Sequence, residues 1–283
     1  DNTDFMVNEF FSTQKKVLHW KIIEESSPGL IHARFKGISF AKYGYVLFCD
    51  DDNWLFPDYL TNVADILSLN PKIGVLGGKG IPVFEGEKPV WFDQYSSSFA
   101  VGSQSWHIGI VKKELGYLYG AGVVFKKEIL DEIVDSKFEL VLTGRKGDTL
   151  ISGDDVELCY LAQLLGYELH YSDRLEFYHW MADNRMNWTY YLKLKEGITR
   201  GAGFLFSYHY FYKNRNSGVL VFGLALSRKL LSSIAVYIKN LLSPSESIVH
   251  RDLSIRVLKA NQLSFRKDFF QILSHFKKLK AHF

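Results

Sequence analysis

Three groups of side chains in this 283-residue sequence are of types that do chemistry at close range. Asp50, Asp51 and Asp52 follow directly on the apolar run "YVLFC". Asp154 and Asp155 open the stretch "GDDVELCYLAQLL", and His179 lies in "EFYHWM". Like charges repel, so three carboxylates at the end of a buried strand call for a counter-charge. Mg2+ or Mn2+ would supply it, since both take oxygen ligands and commonly share one or two carboxylates with a substrate diphosphate. Neutral imidazole is a competent further ligand. An EF-hand is excluded, because Trp54 holds the fifth loop position and neither the central Gly nor the closing Glu is present. Asp155 falls in the first turn of an expected helix, where the dipole favours a carboxylate, and a carboxylate can deprotonate an acceptor hydroxyl. Each group also has a plain structural reading: a solvated acidic turn, a helix cap and a packed histidine.

Alternating strands and helices must position these groups. The run "KVLHWKIIEE" (16–25) reads as a strand and "LIHARFKGISFA" as a helix, and "YGYVLFC" is the next strand. "FPDYLTNVADILSLNP" has Pro57 near its start, apolar Leu60, Val63, Ile66 and Leu67, and a stop at Asn70-Pro71, which predicts a helix. "KIGVLGGKG" reads as a short strand, and residues 82–120 as a long aromatic-bearing excursion. The segment "SGDDVELCYLAQLLGYELHYSDRLEFYHW" reads as a helix and two strand-like pieces, with Asp154 and Glu157 fitting a capping box. The alternation favours an α/β domain on a largely parallel sheet.

Two cysteines, both within apolar segments, argue against a disulfide framework and point to a reducing compartment. Net charge is +3 overall, but from Arg200 onward there are 14 Lys and Arg against 3 Asp and Glu. The division is therefore an acidic front domain, 1–200, and a basic helical tail, 201–283, whose expected partner is an anionic membrane surface. At 100° per residue, Arg228, Lys229, Ser232, Ser233, Lys239 and Asn240 fall within an arc of about 140°. Leu230, Leu231, Ile234, Tyr237, Ile238, Leu241 and Leu242 cover the other side. Phe269, Ile272, Leu273, Phe276 and Leu279 share one face of a second segment. Neither segment carries the ~20 uninterrupted apolar residues of a spanning helix, so the expectation is a peripheral placement at the cytoplasmic face.

In order and spacing the pieces resemble the family 2 glycosyltransferases of the GT-A fold. "DNTD" resembles that family's Asp-rich turn, "SPGLIHARFKGI" its PGL…AR…G segment, and "VLFCDDDNWLFPDYL" its strand, DxD and Pro-led helix. "GAGVVFKKEIL" resembles its glycine-containing acceptor-side turn, "GDDVELCYLAQLLGYELHY" its ED helix, and "YHW" its late histidine. The resemblance implies an open, mostly parallel sheet flanked by helices, followed here by the basic helical extension. It implies an inverting, hexosyl-type transferase that moves a sugar from a nucleotide-diphospho sugar to a glycan or lipid-linked hydroxyl. Asp155 would be the base, Asp52 and His179 would hold Mn2+ or Mg2+, and Asp1, Arg34, Asp50, Gly122 and Asp154 would line the nucleotide-sugar site. Phe35 replaces the usual Asn, Asp154 replaces the usual Glu, and the family's first strand does not precede Asp1, so the chain reads as a fragment. No nucleic-acid partner is expected. The other readings are a nucleotidyltransferase of similar layout and a degenerate membrane-bound scaffold.

Overall fold

The computed structural model describes residues 2–13, 19–105, 107–111, 115–142, 144, 153–242 and 248–283. Helices α1 (Thr3–Thr13) and α2 (Leu30–Phe40) precede strands β1 (Tyr45–Leu47) and β2 (Asn53–Leu55). Helix α3 (Tyr59–Leu69), strand β3 (Ile73–Phe84) and helix α4 (Phe92–Tyr95) follow, then strands β4 (Gly109–Ile110) and β5 (Val124–Lys126). Helices α5 (Lys127–Asp135) and α6 (Asp154–Leu164) lead to strand β6 (Glu168–Met181). Five helices close the chain: α7 (Trp188–Arg200), α8 (Ala202–Lys213), α9 (Val219–Leu242), α10 (Ile248–Lys267) and α11 (Phe269–His282).

The α/β class and the open, helix-flanked sheet agree with the sequence reading, but the strand directions are mixed rather than mostly parallel. Strand order is β1-β5-β3-β6-β2, with β4 also on β6. Among the described strands only β3 and β6 pair in parallel, and that ladder is the longest; β1–β5, β3–β5, β2–β6 and β4–β6 are antiparallel. The short strands β2 and β5 pair with strands distant in sequence, Asn53–Leu55 with β6 and Val124–Phe125 with β3, so no crossover unit imposes a parallel direction on them.

Alternation along the strands feeds two apolar layers. Val75 and Phe125 face α5, α6 and the C-terminal helices; Leu76 and Val124 face α3 through Tyr59, Val63 and Leu67. Each ring or aliphatic chain buried so fully contributes about 1.5–3 kcal/mol. The two strand-like pieces expected after α6 are one strand. Its "SDR" interruption is a bulge, where the register with β3 slips between Gly77↔Tyr171 and Lys79↔Glu176. Gly78 makes room for it, since a Cβ there would meet the Leu175 carbonyl oxygen at 1.9 Å.

Other expectations fail for identifiable reasons. Of the run 16–25, residues 16–18 lie outside the described part, and 19–25 pair with no strand and expose Trp20 and Ile22. A β-branched sequence without a neighbouring sheet edge has nothing to complete its ladder. The capping box is absent: Gly153 is the N-cap of α6 with no side-chain cap, and the Glu157 carboxylate points inward instead. The aromatics of the excursion build a satellite core, with Trp91, Phe92, Tyr95 and Phe99 packed on Trp188 and Tyr191; Trp106 lies outside the described residues.

The tail is docked by its inner faces. Phe222 of α9 stacks on Phe276 of α11 at 4.0 Å, and both belong to the same core as Phe125 and Leu158. Leu226, Ile272 and Leu279 are buried with them. The α9 helix presents the reverse of the expected face in part: Ser233 is buried, while Leu231, Ile238 and Leu242 are exposed. At 24 residues, with mean hydropathy 1.7 over its best window, α9 is by length and composition long and apolar enough to cross a membrane.

Candidate active site

The three aspartates form the turn between β1 and β2, closed by Asn53 N–H donating to the Asp50 carbonyl at 3.0 Å. The turn separates their fates. Asp51 is exposed. Asp50 faces the Arg34 guanidinium at 3.8 Å. Asp52 is drawn toward β6, where Trp180 N–H donates to its carbonyl at 2.8 Å and its side chain meets His179. Asn53 and His179 are directly opposed across β2 and β6, which fixes the histidine beside the turn.

Asp52 Oδ1 lies 3.5 Å from His179 Nε2 and accepts from Asn53 Nδ2 at 3.0 Å; Oδ2 accepts from Arg185 Nη1 at 2.9 Å. Burial pushes the Asp52 carboxyl up, but His179 and then Arg185 outweigh it and bring its pKa down to about 2. Asp52 is therefore a carboxylate at any physiological pH. An oxygen and an imidazole nitrogen 3.5 Å apart make a donor pair suited to Mn2+ or Mg2+. The described residues contain no group of three His, Cys, Asp or Glu side chains able to hold a metal. Two protein ligands fit a cation whose remaining positions go to a diphosphate and water. The His179 Nδ1 atom is buried without a partner.

Arg34 joins this cluster to the next. Its side chain is 7% exposed, its Nη1 donates to Asp154 Oδ2 at 2.7 Å, and its face covers the Phe48 ring at 4.8 Å. Asp154 is 4% exposed. Burial raises its pKa, and the Arg34 charge opposes that rise. Asp155 is held differently, by main-chain donors: Gly120 N–H to Oδ2 at 2.8 Å and Val156 N–H to Oδ1 at 2.9 Å. One lone pair of each oxygen is used, and the others are left to accept a proton.

Gly122 lies buried in the turn into β5 with φ +66°, and Tyr59 donates its hydroxyl to the Gly122 carbonyl. The left-handed φ favours glycine, and an added Cβ would meet Phe177 and the Tyr59 hydroxyl at 3.0 Å. Asp1 lies outside the described residues.

The roles of two residues escaped the sequence reading. Arg185 follows β6 in a short 3-10 turn and pairs with Asp52 across 133 positions. Glu157 is fully buried, accepts from the Val141 and Leu142 N–H groups and from the Tyr208 hydroxyl at 2.6 Å, and so ties α6 to α8. Burial lifts its pKa to about 7. Burial also lowers the pKa of His275 to about 3, so its 4.0 Å approach to Glu157 is not an ion pair. The helical period of α6 carried one usable signal, a glutamate among Leu158, Leu161 and Ala162 on the buried side.

Residues 1–134 match the family model described as Glycosyl transferase family 2. No curated protein matches the sequence. Among solved structures the chain is similar to S. aureus TarS 1-349, with 12% identity and TM-score 0.46, over 96% of this chain and 79% of that one. It is also similar to a mannosyltransferase, PcManGT, from Pyrobaculum calidifontis, solved in complex with GDP-Man and Mn2+. There the identity is 15% and the TM-score 0.47, over 99% of this chain and 73% of that one.

Proposed function

We propose, on the match of residues 1–134 to glycosyl transferase family 2, that the chain is an inverting transferase with Asp155 as its base. Its donor is a nucleotide-diphospho sugar of the hexosyl type. The observation that carries this reading is Arg34, which bridges Asp50 on the DxD turn and Asp154 beside Asp155. One buried cation thus holds a diphosphate-side cluster and a hydroxyl-side carboxylate in a single site.

In the step itself the acceptor oxygen attacks the anomeric carbon as the bond to the diphosphate oxygen breaks. The hydroxyl proton passes to Asp155, whose two main-chain bonds fix its direction. A single displacement inverts the anomeric centre. A divalent cation held by Asp52 and His179 would neutralise charge on the departing nucleoside diphosphate. Arg185 supplies a permanent positive charge at the same place.

Asp52→Ala tests the donor side. Calorimetry with nucleoside diphosphates and Mn2+ should show affinity lowered by about tenfold or more, roughly 1.4 kcal/mol. Binding without metal should not fall, because Arg185 loses its partner. Binding indifferent to both EDTA and the substitution removes the metal assignment.

We also infer that the protein sits peripherally on an anionic membrane at the cytoplasmic face, where a glycan or lipid-linked acceptor is presented. Leu220, Leu224, Leu231, Ile238 and Leu242 are all exposed on α9, within an arc of about 40° at 100° per residue. Arg228 and Lys239 border that stripe, and the tail carries 13 Lys and Arg. An exposed apolar stripe edged by cations matches an anionic lipid surface, whereas a second copy of the same basic face would be repelled. Flotation with vesicles containing phosphatidylglycerol should recover the wild-type protein and lose the double variant Leu224→Asp, Leu231→Asp. Absence of wild-type flotation even at low salt, or dimerisation through the same leucines, overturns the placement.

A further inference from the structure

The strand-like segment leading into Gly120 alternates in a way its packing does not require. Leu115, Gly116, Leu118 and Gly120 are buried, Tyr117 is exposed and Tyr119 is half-buried. Leu115 and Leu118 fill the core from this segment, so the two phenol rings are surplus to it. The rings lie 6.3 Å apart at an interplanar angle of 53°, an open pair facing away from the core.

The backbone beneath them is clamped from both sides. Gln163 accepts from Gly116 N–H at 3.0 Å and donates to its carbonyl at 2.7 Å. Gln104 accepts from Tyr119 N–H at 2.5 Å and donates to the Gly78 carbonyl at 2.7 Å. Gly120 N–H, one residue on, holds Asp155. Burial and then the Asp155 charge raise the Tyr117 pKa; burial, Tyr117 and Asp155 push that of Tyr119 up to about 12. Both phenols therefore stand neutral within reach of the Asp155 field. The clamped backbone fixes where the two rings start, so only their side-chain torsions remain to be ordered when a ligand binds.

We propose that Tyr117 and Tyr119 form a stacking subsite for a pyranose ring of the acceptor, so that the hydroxyl offered to Asp155 belongs to a sugar. A pyranose has a face of polarised C–H groups and a rim of hydroxyls. The negative face of an aromatic ring attracts such C–H groups, while rim hydroxyls hydrogen-bond to water and to a carboxylate. A lipid phosphate or an open-chain polyol has no comparable flat apolar face. The inference rests on Asp155 being the base, and it narrows the acceptor to a carbohydrate.

The test uses a readout independent of turnover. Saturation-transfer difference NMR is recorded on the full chain with methyl pyranosides (glucoside, galactoside, mannoside and N-acetylglucosaminide), and with ribitol and glycerol as controls. Ring C–H protons of at least one pyranoside should receive saturation, and the polyols should receive little. Tyr117→Ala should cut the signal about tenfold, while Tyr117→Phe, which keeps the ring, should retain it. Circular dichroism melting checks that the exposed substitution leaves the fold intact. Equal transfer to polyols, no transfer to any pyranoside, or a signal unchanged in Tyr117→Ala overturns the subsite. Saturation that depends on Tyr117 in a protein releasing no nucleoside diphosphate from any sugar donor would instead leave the sugar site standing and remove the transferase reading.

Discussion

Asp155→Asn should reduce sugar transfer by about 10²–10⁴-fold, the range a positioned general base contributes, while nucleotide-sugar binding stays near the wild-type value. The substitution keeps shape and removes the basic oxygen. In the wild type both carboxylate oxygens accept main-chain N–H groups, from Gly120 and Val156. An amide can satisfy only one of them, because its NH2 group faces the other donor. That mismatch costs about 1–3 kcal/mol of local stability, so thermal melting accompanies the assay. Transfer is followed by nucleoside diphosphate release with acceptor present, and binding by calorimetry with the intact donor. Lost transfer with retained binding places Asp155 on the acceptor side. Wild-type rates in the variant would remove it as the base, and lost donor binding would move it to the nucleotide.

The order of elements was legible because its signals are local. Helix α3 announces itself through Pro57 and the spacing of Val63, Ile66 and Leu67, and the β1 apolar run ends where the aspartates begin. The proposed site residues Asp52, Asp154, Asp155 and His179 stand out in the sequence through order and type. Their partners were not, because those bonds span the chain: Arg185 reaches back to Asp52, and Arg34 reaches forward 120 positions to Asp154. Sheet direction was missed for a similar reason. Short antiparallel strands such as β2 and β5 lack the period that would reveal their partners, and pairing is decided by which edges are free. Glu157 shows the opposite failure. Its spacing from Asp154 suits a cap, yet Tyr208, 51 residues on, and the Val141 and Leu142 N–H groups offer more hydrogen bonds inside.

Arg34→Met should destabilise the fold by ~3–5 kcal/mol at neutral pH, the range for breaking a buried ion pair by removing one partner. The guanidinium is the strong partner of Asp154 and also faces Asp50, so its loss leaves a 4% exposed carboxylate with no opposing charge. The pH dependence separates lost charge from lost packing. Burial already raises the folded-state pKa of Asp154, and Arg34 opposes that rise. Without Arg34 the folded pKa climbs further, while the unfolded value stays near about 4. Between those values the folded state holds a proton that the unfolded state has released, so stability falls as pH rises. In the variant that window reaches to higher pH. Its deficit against wild type should therefore be small at pH 5, where Asp154 is protonated and needs no counter-charge, and should grow toward pH 8. Urea unfolding of both proteins at the two pH values measures it. A deficit equal at both would assign the effect to the packing of Arg34 over Phe48 rather than to its charge.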